Sequence, residues 1–232
     1  MVKRRLYQVL RAAGIGNTIR ETKNIITSQK VAIDGIICTR SDFQLEADRH
    51  VTVDGQSIAS KEKAYFLLHK PAGYSCQKNE KTPFVGDLIP VPGLSPIGRL
   101  DFDTTGLLIM TNDGELTVKI TSPESRIEKT YVATLNKPIS EINIKKLEAG
   151  VSIPVDGEVY QTQPCKIKKI SETKIEITIH EGKKRQVRLM CNALGYEVRE
   201  LQRISIGRIT LGNLKEREYR QVSKEEILSA LK

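Results

Sequence analysis

A chain of 232 residues is long enough to bury a full core and to form one medium domain plus a small one. Its 37 Lys and Arg against 28 Asp and Glu leave a net charge of +9, which favours a polyanionic partner through steering and counterion release. Four scattered cysteines (Cys38, Cys76, Cys165, Cys191) and three ungrouped histidines (His50, His69, His180) argue against a zinc site or a disulfide framework. The opening Met1-Val2-Lys3-Arg4-Arg5-Leu6 has no apolar signal region, and no segment approaches a membrane span, so a reduced cytoplasmic compartment and no membrane partner are expected.

Leu6, Val9 and Leu10 fall at helical spacing with Gly14 following as a C-cap, and a second helix is predicted from near Thr18 to about Ser28. Val31-Ala32-Ile33-Asp34-Gly35-Ile36-Ile37-Cys38 reads as two short strands around an Asp-Gly turn, and Val51-Thr52-Val53 as a third strand ending at Asp54-Gly55. Two helices with basic side chains followed by a small hairpin sheet resemble an S4-type RNA-binding domain, assigned to residues 1–58. That resemblance makes Arg5, Arg11, Arg20, Lys23 and Lys30 candidates for phosphate contacts, which supply affinity without reading sequence. The plainer reading of the same residues is a set of solvated helix faces.

A polar, charged linker is placed at 59–63, and a second domain at 64–232. A strand from Ala64 to Leu68 is predicted to run into the turn His69-Lys70-Pro71-Ala72-Gly73-Tyr74, whose proline cannot continue a ladder. His69 reads as a packed or loop histidine, because nothing near it completes a nucleophile pair. The run Gly98-Arg99-Leu100-Asp101-Phe102-Asp103-Thr104-Thr105-Gly106 then sets an arginine and two carboxylates on a short loop before the apolar strand Leu107 to Thr111. A scaffold presents a carboxylate rigidly to a substrate in this way. A short helix is expected at Glu115 to Ile120. Strands follow at Lys129 to Leu135, Pro164 to Ile170, Lys174 to His180 and Glu197 to Ile206, with helices at Ser140 to Glu148, Lys184 to Leu194 and Lys224 to Leu231. Turns rather than regular crossover helices separate many of these strands. The fold class is therefore α+β, with a largely antiparallel mixed sheet flanked by helices.

Gly98 to Thr111, His69-Lys70-Pro71-Ala72-Gly73, Glu128-Lys129-Thr130-Tyr131-Val132, Gln186-Val187-Arg188 and Glu200-Leu201-Gln202-Arg203 together resemble the RsuA family of ribosomal RNA pseudouridine synthases. The resemblance implies Asp101 as the essential carboxylate, Arg188 as the cation paired with it, Tyr131 as the active-site tyrosine and Leu201 as the apolar residue under the base. It implies an isomerase that breaks the bond from uracil N1 to ribose C1′ and rejoins the base through C5, a reaction needing no cofactor. Asp101 acts either as a nucleophile at C1′ or as a base at C2′; the residues leave both routes open. Both need a charged carboxylate, which burial alone would neutralise, so an arginine beside it is required. Arg99 is placed to fill the space left by an extruded nucleotide or to hold the backbone. Lys183, Lys184 and Arg185, at a predicted helix start, are read as phosphate contacts, and Arg203 and Arg208 as an extension of that basic surface.

Asp103 is read as a loop brace that accepts backbone hydrogen bonds. Its nearness to Asp101 raises a glycoside-hydrolase reading, which the absence of Trp and the basic excess disfavour. Asp103-Thr104-Thr105-Gly106 and Ile120-Thr121-Ser122-Pro123 read like the branch of the family acting on 16S rRNA; the branch acting on 23S rRNA is the alternative. A non-catalytic RNA-binding assembly factor is the reading of a different class, and it has no use for Asp101, Tyr131 and Arg188 together. The expected partner is ribosomal RNA within a small-subunit assembly intermediate, bound by a monomer.

Overall fold

The computed structural model describes residues 4–16, 18–46, 49–58 and 62–231. Residues 1–3, and 59–61 of the expected linker, lie outside the described residues. Two compact units are formed, one comprising 1–64 with 90–95 and 111–114, the other 65–89, 96–110 and 115–232.

The smaller unit runs β1 (Arg4–Arg5), α1 (Leu6–Ala12), α2 (Ile19–Thr27), β2 (Val31–Ile33), β3 (Ile36–Ile37), β4 (Gln44–Leu45), β5 (Val51–Val53) and β6 (Gln56–Ser57). Thr18 starts α2 because its hydroxyl accepts the Glu21 N–H at 3.0 Å. Asp34 and Gly35 both take positive φ, 48° and 83°, which matches a two-residue turn to the twist of the strands it joins. A second Asp-Gly turn at Asp54 and Gly55 adds β6, giving a sheet in the order β3-β2-β5-β6. Leu6, Leu10, Ile26, Val31, Ile33, Leu45 and Val51 form its core.

The chain continues through β7 (Tyr65–Lys70), β8 (Ser95–Ile97), β9 (Thr105–Thr111), α3 (Gly114–Thr121), β10 (Lys129–Leu135), α4 (Glu141–Ala149), β11 (Ser152–Val155), β12 (Glu158–Gln161) and β13 (Lys166–Ser171). After these come β14 (Lys174–Ile179), α5 (Gln186–Ala193), β15 (Val198–Ile206), β16 (Ile209–Thr210), β17 (Tyr219–Gln221) and α6 (Lys224–Ala230). A nine-stranded sheet has the order β13-β14-β10-β15-β9-β7-β17, with β16 on β15 and β8 on β9. The fold is α+β, as expected. Its pairings at β10–β14, β10–β15, β13–β14 and β7–β17 are antiparallel, and β15–β9 is parallel.

Two apolar cores build this unit. One gathers Ala133, Ile175, Ile177, Met190 and Leu201 from the β10–β14–β15 region and α5, with Ile144 and Leu147 of α4. The other gathers Leu67, Leu107, Ile109, Leu116 and Ile227 from β7, β9, α3 and α6. Leu107 to Met110 are fully buried, which is why β9 reads as an unbroken apolar run rather than an alternating one.

Three expectations are corrected here. β7 does not turn at His69 but carries both His69 and Lys70 in the ladder, buried, because their polar atoms find partners inside the protein. α5 begins at Gln186 rather than Lys184, since Arg185 takes a left-handed conformation (φ 54°) at the N-cap. The hairpin β11–β12 lies in a stretch given no elements by the sequence reading.

Candidate active site

The loop that carries Asp101 is fixed from beneath by Lys70. Its side chain is fully buried, and its ammonium donates to the carbonyls of Pro71 (3.0 Å), Phe102 (3.4 Å) and Thr104 (2.8 Å). Burial pushes the Lys70 ammonium below its ordinary pKa, and Cys76, Asp103 and Asp101 pull it partly back. The loop is also held by the Gly73 N–H on the Phe102 carbonyl, the Thr104 N–H on the Asp101 carbonyl, and the Leu100 N–H on Cys76 Sγ at 3.4 Å. Sequence reading treated Lys70 as one residue of a turn. The signal it passed over is a lysine ending the otherwise apolar and aromatic run of β7.

A cleft of about 640 Å³ opens over this loop, and Asp101, Arg99, Tyr131, Leu201 and Arg203 all line it. The volume falls in the range typical of small-molecule pockets, enough to admit a single base with its sugar. Asp101 is half-buried, and among the described residues its carboxylate makes no hydrogen bond or ion pair. Tyr131 on β10 faces Arg203 across the β10–β15 pairing and is half-buried; Leu201, buried, faces Ala133.

The expected pair between Asp101 and Arg188 is not made. Arg188 Nη1 donates to the Val198 carbonyl at 2.6 Å, while Nη2 donates to the Asp103 carbonyl at 3.1 Å and lies 3.3 Å from its carboxylate. Arg185 grips the same carboxylate with two bonds of 3.1 Å. Burial pushes the Asp103 carboxyl up, but the two guanidiniums outweigh it and leave the group below its ordinary pKa. Asp103 thus accepts a backbone hydrogen bond, as expected, and in addition ties the Asp101 loop to Arg188 of α5 and to its N-cap Arg185.

Arg203 also departs from expectation. It is 3% exposed rather than part of an outer basic surface, because its Nε donates to the Leu107 carbonyl at 2.8 Å inside the sheet. Arg208 is exposed and donates to the Ser229 carbonyl. Arg99, Lys183, Lys184 and Arg185 are exposed around the cleft. Tyr160 and Glu181 join them unforeseen: the Tyr160 hydroxyl donates to Glu181 at 2.5 Å, and Lys183 lies 4.4 Å from the centre of the Tyr160 ring. His69 is a packed residue, its Nδ1 2.8 Å from the Leu214 carbonyl. In the smaller unit, Arg5, Arg20, Lys23 and Lys30 are exposed and Arg11 is half-buried; Lys30 pairs with Asp54 at 3.3 Å.

An α+β sheet enzyme with an unpaired carboxylate beside a tyrosine and a leucine in a basic-rimmed cleft is the class that the fold and site define. The RNA pseudouridylate synthase family model matches residues 64–193, and the chain belongs to that family. The ribosomal small subunit pseudouridine synthase A of Vibrio cholerae serotype O1 is 36% identical over 223 residues, covering 94% of this chain and 96% of that protein. Its counterpart in Escherichia coli K12 is 37% identical over 212 residues, covering 89% and 91%. The ribosomal large subunit pseudouridine synthase B of Bacillus subtilis 168 is 35% identical over 233 residues, covering 96% and 93%. A crystal structure described as that of a pseudouridylate synthase matches with a TM-score of 0.70 at 33% identity, over 98% of this chain and 99% of that one.

Proposed function

We propose that this chain converts one uridine of 16S rRNA to pseudouridine, with Asp101 as the catalytic carboxylate. The observation that carries the reading is the Asp101 side chain itself, rigidly mounted and without a partner in a cleft shared with Tyr131 and Leu201. In this reading the C1′–N1 bond breaks with its electron pair moving to the base. Asp101 either bonds to C1′ as an ester or removes the C2′ proton to give a glycal. C5 then bonds to C1′ as the Asp101 ester bond breaks, its pair returning to the carboxylate, or as the proton returns to C2′. The C5 proton then leaves, assisted by the Tyr131 hydroxyl, and N1 takes up a proton, which completes the isomerisation with no net loss of atoms.

Tyr131 stacks on the base and Leu201 supports it, while Arg99 occupies the gap left by the extruded nucleotide, whose unstacking costs a few kcal/mol. Arg188 serves through Asp103, holding α5 and the Asp101 loop together. Lys183, Lys184 and Arg185 meet phosphates. Residues 1–58 act as an S4-like RNA-binding module, with Arg5, Arg11, Arg20, Lys23 and Lys30 as its phosphate contacts, joined by a linker at 59–63 to a catalytic domain at 64–232. The substrate is a small-subunit assembly intermediate in the cytoplasm, met by a monomer. The small-subunit enzymes of Vibrio and Escherichia support 16S over 23S rRNA, and the Bacillus large-subunit relative keeps 23S as the competing substrate.

Pseudouridine mapping of 16S and 23S rRNA from cells with and without this chain tests the substrate: one 16S site should vanish without it, and loss of a 23S site alone would overturn that choice. Asp101→Asn should abolish modification while leaving RNA affinity within a few fold. Equal loss of both would point instead to a binding or folding role.

A further inference from the structure

Two cations in the cleft have no part in the roles above. Arg203 is buried, its Nε satisfied by the Leu107 carbonyl, yet its Nη2 has no hydrogen-bond partner. Lys129, half-buried on β10, donates to the Ile127 carbonyl at 2.8 Å. Neither is paired with a carboxylate among the described residues. Burial pushes the Lys129 ammonium below its ordinary pKa, and the Arg203 guanidinium pushes it further. A buried N–H left unpaired is costly, and one in a folded protein calls for an explanation such as a bound ligand, ion or water. Thr104 Oγ1, 1% exposed and also without a partner, lines the same cleft.

The ligand group that fits is set by position. Arg203 sits directly across from Tyr131, the residue read as stacking on the base, whereas the exposed lysines lie on the rim where a backbone phosphate would pass. When the C1′–N1 bond breaks heterolytically, the base leaves as uracilate, with negative charge spread from N1 onto O2 and O4. We propose that Arg203, assisted by the charge of Lys129, stabilises the departed uracilate through the positive charge of its guanidinium, which lines the cleft and is offset by no carboxylate among the described residues, while the ring turns to present C5. The guanidinium gains more from the charged base than from neutral uridine, so the contact lowers the barrier to bond breaking rather than simply tightening binding. Arg203 is thereby a catalytic residue, not a phosphate contact.

This inference rests on the proposed pseudouridine synthase activity, and its test separates the two. Single-turnover pseudouridine formation and RNA affinity are measured for Arg203→Gln and Arg203→Lys. Arg203→Gln should slow the reaction by about 10²-fold, the loss seen when one donor to a developing anion is removed, with RNA affinity kept within about threefold. Arg203→Lys, which keeps the charge, should recover part of the rate. A slowing below about tenfold, or a loss of affinity that accounts for the loss of rate, overturns the assignment.

A measurement on the unaltered protein decides the matter if the variants do not fold. Binding of 5-nitrouracil, a base that ionises far more readily than uracil, should tighten by about tenfold or more as pH rises through the ligand's own pKa, while binding of uracil over the same range should not. Affinity for 5-nitrouracil that stays flat overturns the proposal. No pseudouridine from the unaltered protein on any rRNA would overturn the activity itself, and this assignment with it.

Discussion

Lys70 shows how one side chain makes a loop into a site. Its three carbonyl partners straddle the Asp101 loop, so an ammonium that is costly to bury stands in for the hydrogen bonds that the loop backbone would otherwise make to water. Lys70→Met keeps much of the volume but orphans these acceptors. It should destabilise the protein by about 1–3 kcal/mol in urea unfolding and lower kcat well beyond its effect on RNA affinity, since the Asp101 loop loses its support. Asp103 makes a pH-dependent contribution of definite sign. Its folded pKa lies below its ordinary 3.8, so the ties to Arg185 and Arg188 stabilise the fold above that value and fade as pH falls through the lower folded one. Asp103→Asn should therefore lose stability at neutral pH, and the gap to the unaltered protein in thermal melts should close as pH drops below 3.8. A constant gap across that range would show that the carboxylate's charge is not what holds α5 to the loop.

Among the elements, β9 runs parallel to β15 with Gly106 opposite Arg203. Gly106 takes φ 111°, and a Cβ there would lie 2.2 Å from the Arg203 carbonyl oxygen and 2.6 Å from its nitrogen. Gly106→Ala should force these strands apart and cost about 1–3 kcal/mol or more, with activity lost beyond the stability change because Arg203 and the end of the Asp101 loop move together. Unfolding and single-turnover rates on the same preparation check both halves. Elements governed by local pattern were legible in the sequence: α2 from near Thr18, the Asp34-Gly35 hairpin, and β9 as an apolar run. Elements that depend on distant partners were not. β7 runs on through Lys70 because its ammonium meets carbonyls more than thirty residues away, at Phe102 and Thr104, and α5 starts late where Arg185 reaches Asp103 on the other side of the site. The sequence motifs brought Asp101, Tyr131 and Leu201 to one cleft. The partner of Arg188 and the burial of Arg203 were set by side-chain reach across the sheet, which spacing along the chain does not encode.

At the scale of the whole molecule, the net charge of +9 is carried by both units, with Arg20, Lys23 and Lys30 exposed on the smaller one and Arg99, Lys183 and Lys184 exposed on the larger. If the smaller unit docks on rRNA through phosphates, its lysines and arginines contribute affinity by releasing counterions and take no part in bond breaking. Arg20→Glu with Lys23→Glu should then weaken binding of an rRNA fragment and lower kcat/KM, while kcat at saturating RNA stays unchanged. The salt dependence is the sharper measure. On single-stranded RNA, each lost phosphate contact should reduce the log–log slope of affinity against salt by about 0.7, so the double variant should be shallower by about 1.4 if both residues make one contact each. Replacing Lys183 and Lys184 by Gln should shallow the slope through the other unit, and the two effects should add if the contacts are independent. An unchanged slope in the Arg20 and Lys23 variant would mean that these side chains are only a solvated helix face, and that the positive charge which draws RNA to this enzyme resides around the cleft.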